Sequence, residues 1–471
     1  MDDLINPKPE PNLNVNVIIE LVDLFFDRVQ CFVPLFHRRN LRDSVLAQGT
    51  SPSCPLLLYS IMAVAAFAHP DPDVRANRPL WYRKAKIAYE ATGHMPEQPL
   101  ETLQAATCLV LYAFTVGGHS DGLLILGKAS RQAVALGLHH MDSPTRAMLL
   151  GTTLPGSGDW RETEQRRRVV WALFILDRGM CFLAGFAYAI DDRQLRVRLP
   201  MMEAIFQDSD EPQDTAMYSQ DPKALLASLQ QHTAGNPLHY LILSYSLLGR
   251  ISEHIYSPEY DEQDAPQRSE RETLEQILTK MRLVLPRSAT DFAAASSSDF
   301  RYAVWLRISM DVHTIFLHHT PKKTLQHHDR DECHQDNWNR CVATARNTAL
   351  LIREASRVSV DLLMNPLLAA PIFVCARILV IEYVLTSHPP PDPPRRDSAL
   401  RADLEVMVLA LDRLKEAFNG VEKFRVGLFF HLRHDSAALL TIKSEGSRGI
   451  LRTCSKWTCF SDLDVLSAIP D

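Results

Sequence analysis

The run PLLLYSIMAVAAFA, from Pro55 to Ala68, is apolar on nearly every side. A helix with that pattern has to be enclosed by other helices, so it reads as a central core element. It is too short to cross a bilayer, which takes ~20 residues. The longer apolar stretch from 366 to 384 is interrupted by Arg377 and Glu382, so no membrane span is expected. Upstream, Ile18, Leu21, Leu24, Phe25, Val29 and Phe32 line one helical face, and Pro34 ends the segment. Further helical periodicities fall at about 80–92, 100–115, 120–137, 162–184, 236–256, 271–285, 299–319, 337–358, 366–387, 398–418 and 427–443. Alternating β-branched runs with Asn-Gly or Asp-Gly turns are nearly absent, and no internal repeat is visible. The expected fold is all-α: a large multi-helix domain with irregular loops and little or no β-structure.

Composition agrees with this reading. The chain has 471 residues and a mass of 53.2 kDa, with 46% hydrophobic and 23% charged residues, close to the globular average. Glycine is scarce, at 18 of 471 residues, which disfavours turn-rich sandwiches and glycine-dependent dinucleotide folds. The formal charge of -6 lacks the basic excess of a self-sufficient nucleic-acid binder. Nine cysteines, an odd and scattered set, point to a reducing compartment. The acidic start Met1-Asp2-Asp3 is unlike a secretory signal.

Residues 1–12, with Pro7, Pro9 and Pro11, read as a mobile tail, and 13–388 as the all-α domain. The run Pro389-Pro390-Pro391-Asp392-Pro393-Pro394 makes 389–397 a stiff linker, leaving 398–471 as a C-terminal helical segment packed on the main domain. Acidic, proline-spaced stretches near 207–222 and 257–268 read as surface loops. Asp159 and Glu162 are spaced as a capping box for the helix that follows.

Several motifs come near to a chemistry and miss it. Gly122-Leu-Leu-Ile-Leu-Gly127-Lys128 nearly fits a phosphate-binding loop, but Ala129 stands where a hydroxyl would ligate Mg²⁺ and no strand precedes it. Asp191-Asp192-Arg193-Gln194-Leu195 begins like the aspartate-rich Mg²⁺ box of helical prenyl-chain enzymes but lacks its closing acid. His327, His328, Asp331, Cys333, His334 and Cys341, with His318 and His319 upstream, crowd potential metal ligands at spacings that fit no zinc finger. Cys454 and Cys459 have no third or fourth ligand nearby. Arg166-Arg167-Arg168 is a basic run offset by Glu162 and Glu164, better suited to salt bridges than to polyanion binding. Trp171, Phe174, Ile175 and Phe182 on the same helix read as core. No catalytic, cofactor-binding or metal-binding residue is assigned.

Five segments in order carry a resemblance. They are Leu24-Phe25-Phe26 with Val33-Pro34-Leu35-Phe36-His37; Leu100-Glu101-Thr102-Leu103-Gln104-Ala105; Gly127 to His139; Glu164 to Arg178; and Ala189-Ile190-Asp191 with Leu199-Pro200. Over about 17–200 the chain resembles the regulatory, or middle homology, domain of fungal zinc-cluster transcription factors. The resemblance implies an all-helical fold and control of RNA polymerase II target genes in the nucleus, often as a homo- or heterodimer with related factors. It leaves room for a small-molecule effector and implies neither an enzyme nor a membrane protein.

Complete members of that family carry six N-terminal cysteines that hold two zinc ions and place a helix in the DNA major groove. Only Cys31 and Cys54 lie in the first hundred residues here, so no zinc ligand or DNA-reading residue is carried over and no cofactor is expected in this chain. DNA contact would then come through a missing domain or a dimer partner, whether the sequence is a fragment or a naturally headless member. Where the family commonly has Gly-Arg-Pro after the Asp-Arg of the long helix, this sequence reads Gly185-Phe186-Ala187. The rival expectations are an all-α Mg-dependent prenyl-chain enzyme and a soluble scaffold. On residues alone, Gly137 suits a left-handed helix cap, and Arg131, Arg166–Arg168 and Asp177 suit charge-assisted ties between neighbouring helices.

Overall fold

A computed structural model describes residues 14–48, 54–93, 95–144, 154–183, 185–231, 235–257, 265–290, 297–321, 328–387, 398–432 and 436–451. The expected tail at 1–12, the proline linker at 389–397, His327, Cys454 and Cys459 lie outside these residues. Among the described residues the fold is all-α, and the only β pairing is an isolated antiparallel bridge between Arg198 and Met217.

Two compact units are present. The first comprises the residues up to Tyr112 with Ile125–Leu173 and Met201–Asp214; the second comprises Ala113–Leu124, Phe174–Pro200 and the residues from Thr215 onward.

In the first unit the apolar run forms the helix Pro55–Ala65, with Pro55 at its first turn, followed by a 3-10 turn at Ala66–Ala68. A proline there costs nothing, because that N–H has no intrahelical partner in any case. Ile61, Met62, Ala63, Ala65 and Ala66 have no exposed surface. The helix is covered by Val15–Arg28 on one side and Arg78–Glu90 on the other. Val15–Arg28 begins at Asn14, whose side chain accepts the Asn16 N–H at 3.0 Å, and it buries Ile18, Leu21, Val22 and Phe25. Burial of each such side chain is worth roughly 1.5–3 kcal/mol.

In the second unit Pro237–Tyr256 starts at Asn236, whose Oδ1 accepts the Leu238 N–H at 3.0 Å. It packs on Ser297–His318, which in turn packs on His328–Val358. Ala369–Ser387 lies against His328–Val358, Ser398–Ala417 and Glu422–Leu432. Being surrounded, it has no polar face to offer, and most of Pro366–Thr386 is buried although its length and apolarity would span a membrane. Its one buried guanidinium, Arg377, donates to the Ile450 carbonyl at 2.8 Å. Trp305 Nε1 donates to the Tyr245 hydroxyl at 3.1 Å, and Trp338 Nε1 to Glu382 at 2.7 Å. Each ring thus keeps its polar atom satisfied while burying its body.

The sequence periodicity misses several short helices: Arg38–Gln48, Pro72–Ala76, Glu203–Asp208 and Pro222–Gln231. Two of them open with Asp-Pro, where Asp71 and Asp221 accept the Asp73 and Lys223 N–H groups at 2.8 and 3.0 Å. Asp and Pro in a polar stretch read as loop signals, yet in that order they are an N-cap and a first-turn residue. The stretch expected as one helix at 427–443 is two, Glu422–Leu432 and Ser436–Ser444. The Asp159–Glu162 box also departs from its expected form. Asp159 Oδ1 accepts the Arg161 N–H at 2.9 Å, while Glu162 turns instead to Ser157 Oγ at 2.7 Å and Arg166 at 2.5 Å.

Candidate functional site

The arginine run of the helix Trp160–Cys181 is an architectural hub of the first unit. Arg168 has no exposed side-chain surface. Its Nε donates to Glu164 Oε1 at 2.9 Å, its Nη2 to the Met201 carbonyl at 2.8 Å, and its Nη1 to Glu203 Oε2 and, at 3.5 Å, to the Pro34 carbonyl. Glu164 Oε1 also accepts the Met201 N–H at 2.8 Å. Nearby, Gln104 Nε2 donates to Gln165 Oε1 at 3.0 Å, and Arg167 forks onto both oxygens of Asp142 at 2.6 and 2.9 Å. Segments far apart in sequence therefore meet on one guanidinium. This is the shape in which a buried charge is tolerable, with every neighbour satisfying it. No surface is left for a polyanion on Arg168. Arg131, by contrast, is exposed and makes no ion pair among the described residues.

Further along the same helix, Asp177 belongs to the second unit. Its Oδ1 accepts the Ala189 N–H at 3.0 Å and its Oδ2 the Ile190 N–H at 3.1 Å, while Arg178 Nη1 donates to Asp177 Oδ2 at 2.7 Å and to the Ile190 carbonyl at 2.8 Å. The Arg178 guanidinium also lies over the Phe174 and Tyr188 rings, 4.3 and 4.4 Å from their centroids. The pair fixes the loop from Gly185 to Leu195 to the helix.

Behind that loop lies a cavity of about 720 Å³, within the 300–1,000 Å³ range of small-molecule sites. Its walls come from Arg178, from the loop (Phe186, Tyr188, Asp191 to Arg193) and from one face of Pro237–Tyr256 (Ser246, Arg250, Glu253 and Tyr256), with Glu270 from Ala265–Val284. Gly185 enters the loop at a φ of 67°, beside the Tyr256 ring. Most of the wall charges are already engaged. Arg193 forks onto Asp191 at 2.8 and 2.9 Å, Arg250 donates to the Gln220 carbonyl, and Glu270 meets His254 Nδ1 at 3.1 Å. Asp192 accepts from the Tyr218 hydroxyl at 3.0 Å. The carboxylate of Glu253 has no hydrogen bond or ion pair among the described residues. Burial by the wall pushes its carboxyl above the usual range; Arg178 opposes the shift and the Asp192 charge adds to it.

The near-miss motifs resolve into structural roles. Lys128 of the loop-like glycine run lies inside the helix His119–Ala135 and donates to the Tyr89 and Glu90 carbonyls at 2.7 and 3.2 Å, capping the end of Arg78–Glu90. Asp191 and Asp192 turn to different partners, Arg193 and Tyr218, rather than to a shared point. Among the described residues no three His, Cys, Asp or Glu side chains converge as metal ligands. Of the histidine-rich cluster, Cys341 is buried against the Ile315 carbonyl at 3.8 Å, and His319 Nε2 faces the Lys443 carbonyl at 3.1 Å. Trp171, Phe174, Ile175 and Phe182 are all buried, as core residues should be. Gly137 adopts the left-handed cap at a φ of 72°. The cavity itself escapes a sequence reading, because Arg178, Glu253 and Tyr256 are brought together only by tertiary packing.

Residues 22–283, more than half of the chain, match the fungal specific transcription factor domain. The chain belongs to that family, a domain of transcription regulators. It is similar to the pigment biosynthesis transcriptional activator pigB of Monascus ruber, with 28% identity over 39% of this chain and 33% of that protein. It is similar also to the azaphilone cluster-specific transcription factor azaR of Aspergillus niger, with 26% identity over 43% of each chain. A third relative is the citrinin biosynthesis transcriptional activator ctnR of Monascus purpureus, with 24% identity over 50% of this chain and 39% of that protein. The chain spans less than half the length of these relatives. No solved structure matches.

Proposed function

We propose that this chain controls transcription of RNA polymerase II target genes in the nucleus, without catalysis, by changing the output of a DNA-bound complex in response to a small molecule held in the cavity of the second unit. Family membership over residues 22–283 carries the transcriptional part of the reading. The net charge of -6 argues that contact with DNA is made through another domain or a dimer partner of related type, and not by this surface. The cavity supports the effector part: its loop is pinned by Asp177, so a ligand favouring one position of that loop would shift a conformational equilibrium. Cluster-specific regulation is a property named for relatives such as azaR, and we extend it to this chain as control of a limited gene set.

Deletion of the coding sequence followed by transcript profiling tests the proposal. A defined group of transcripts should change and be restored by the wild-type chain. An unchanged profile under conditions where the protein is expressed would overturn it.

A further inference from the structure

The wall of the cavity in the second unit carries a carboxylate, Glu253, with no hydrogen bond or ion pair among the described residues. Four carboxylates, Asp191, Asp192, Glu253 and Glu270, face it against three guanidiniums, Arg178, Arg193 and Arg250. The arginines are engaged: Arg178 with Asp177 at 2.7 Å, Arg193 with Asp191 at 2.8 Å, and Arg250 with the Gln220 carbonyl. Asp177, behind Arg178, cancels that charge without lining the cavity. Asp192 meets Arg178 at 4.0 Å and the Tyr218 hydroxyl at 3.0 Å, which leaves Glu253, at the exposed end of the wall, as the carboxylate without a direct partner among the described residues. A cation would meet at Glu253 a carboxylate that has no hydrogen bond or ion pair among the described residues. The remaining wall is flat and partly apolar, made by Phe186, Tyr188 and Tyr256, with Phe186 42% exposed at the mouth. Aromatic faces attract cations and stack on planar bodies.

We propose that this cavity binds a protonated organic amine with a flat apolar body, its ammonium group paired with the Glu253 carboxylate and its body against the Phe186, Tyr188 and Tyr256 rings. The proposal rests on the reading of the cavity as an effector site and names the effector's class. Glu253 stands at the exposed end of the wall, so its replacement should leave the fold intact.

The test is saturation-transfer NMR and calorimetry on the full 471-residue chain, with phenethylamine as probe and 2-phenylethanol and 3-phenylpropionate as neutral and anionic counterparts. Phenethylamine should bind at least tenfold more tightly than either counterpart. Glu253→Gln should weaken it about tenfold or more, while Glu272→Gln, an exposed acid that does not line the cavity, should leave it unchanged. The unfolding temperature of each variant checks that the fold is kept. Preference for 3-phenylpropionate, equal binding of all three probes, no binding of phenethylamine, or equal losses in Glu253→Gln and Glu272→Gln would each overturn the proposal. Transcript profiling after deletion reads the regulatory role without any ligand, so failure of the amine class and failure of that role are separately visible.

Discussion

Gly185 lies against the ring of Tyr256 with no room for a methyl group: a Cβ at Gly185 would stand 2.5 Å from Tyr256 Cε1. The Tyr256 ring cannot easily yield, since its hydroxyl donates to the Leu183 carbonyl at 3.1 Å. The same glycine holds a φ of 67°, a region costly for other residues. Steric contact and backbone conformation therefore both select glycine at the entrance to the cavity loop.

Gly185→Ala should destabilise the chain by about 1–3 kcal/mol and loosen the loop. Tyr256→Phe, which removes only a hydrogen bond, should cost about 0.5–1.5 kcal/mol. Amide exchange at Ala187–Ile190 read with urea unfolding separates the two. Gly185→Ala with wild-type stability and exchange would show that the glycine is dispensable.

Arg168→Met should cost about 3–5 kcal/mol, because it leaves Glu164 and Glu203 facing each other without their shared cation. Arg168→Lys should fall between, since an ammonium cannot reach Glu164, Glu203 and Met201 together in the planar fork that the guanidinium provides. Urea midpoints give the order. Lysine indistinguishable from wild type would refute the fork as the reason for arginine.

Those two sites mark the boundary of what sequence can disclose. The helical periods at Pro55–Ala65 and Trp160–Cys181 are local, and they are visible because burial has to repeat with the helix. The role of Arg168 is half legible: a charge in an apolar helix demands partners, but Met201 and Pro34 are chosen by packing. Pro34, Gln104, Glu164, Arg168, Asp177, Ala189 and Ile190, all within segments that carry the family resemblance, turn out to be parts of hydrogen-bond networks of the helix Trp160–Cys181. Glu253 carries no local signal, as an acid on a helix flanked by polar residues is ordinary until the loop above it is placed.

Acid should weaken the fold through His119 and His313. Burial, reinforced by Lys423 at His119 and Arg282 at His313, lowers both from 6.5 to about 3. Both therefore stay neutral in the fold while the unfolded chain takes up protons below pH 6.5. Their contribution is intact above pH 6.5 and is lost as pH falls toward 3, by at most about 1.4 kcal/mol per pH unit for each histidine. Urea midpoints between pH 7 and 5 should fall, and His313→Gln should flatten the slope. An unchanged slope in that variant would contradict the buried neutral state.

Lys128→Met should cost about 0.3–1 kcal/mol, the worth of a cation at the exposed end of Arg78–Glu90. Mg-ATP should give no thermal shift with either protein. A shift that Lys128→Met abolishes would restore the phosphate-loop reading set aside above.

The most direct test of the regulatory account is to tether the 471-residue chain to a heterologous DNA-binding module upstream of a reporter and measure transcription against the module alone at equal expression. The account predicts a reporter level that differs several-fold from the module alone and that responds to occupancy of the cavity, with the response lost in Glu253→Gln. A reporter level indistinguishable from that of the module alone would contradict it.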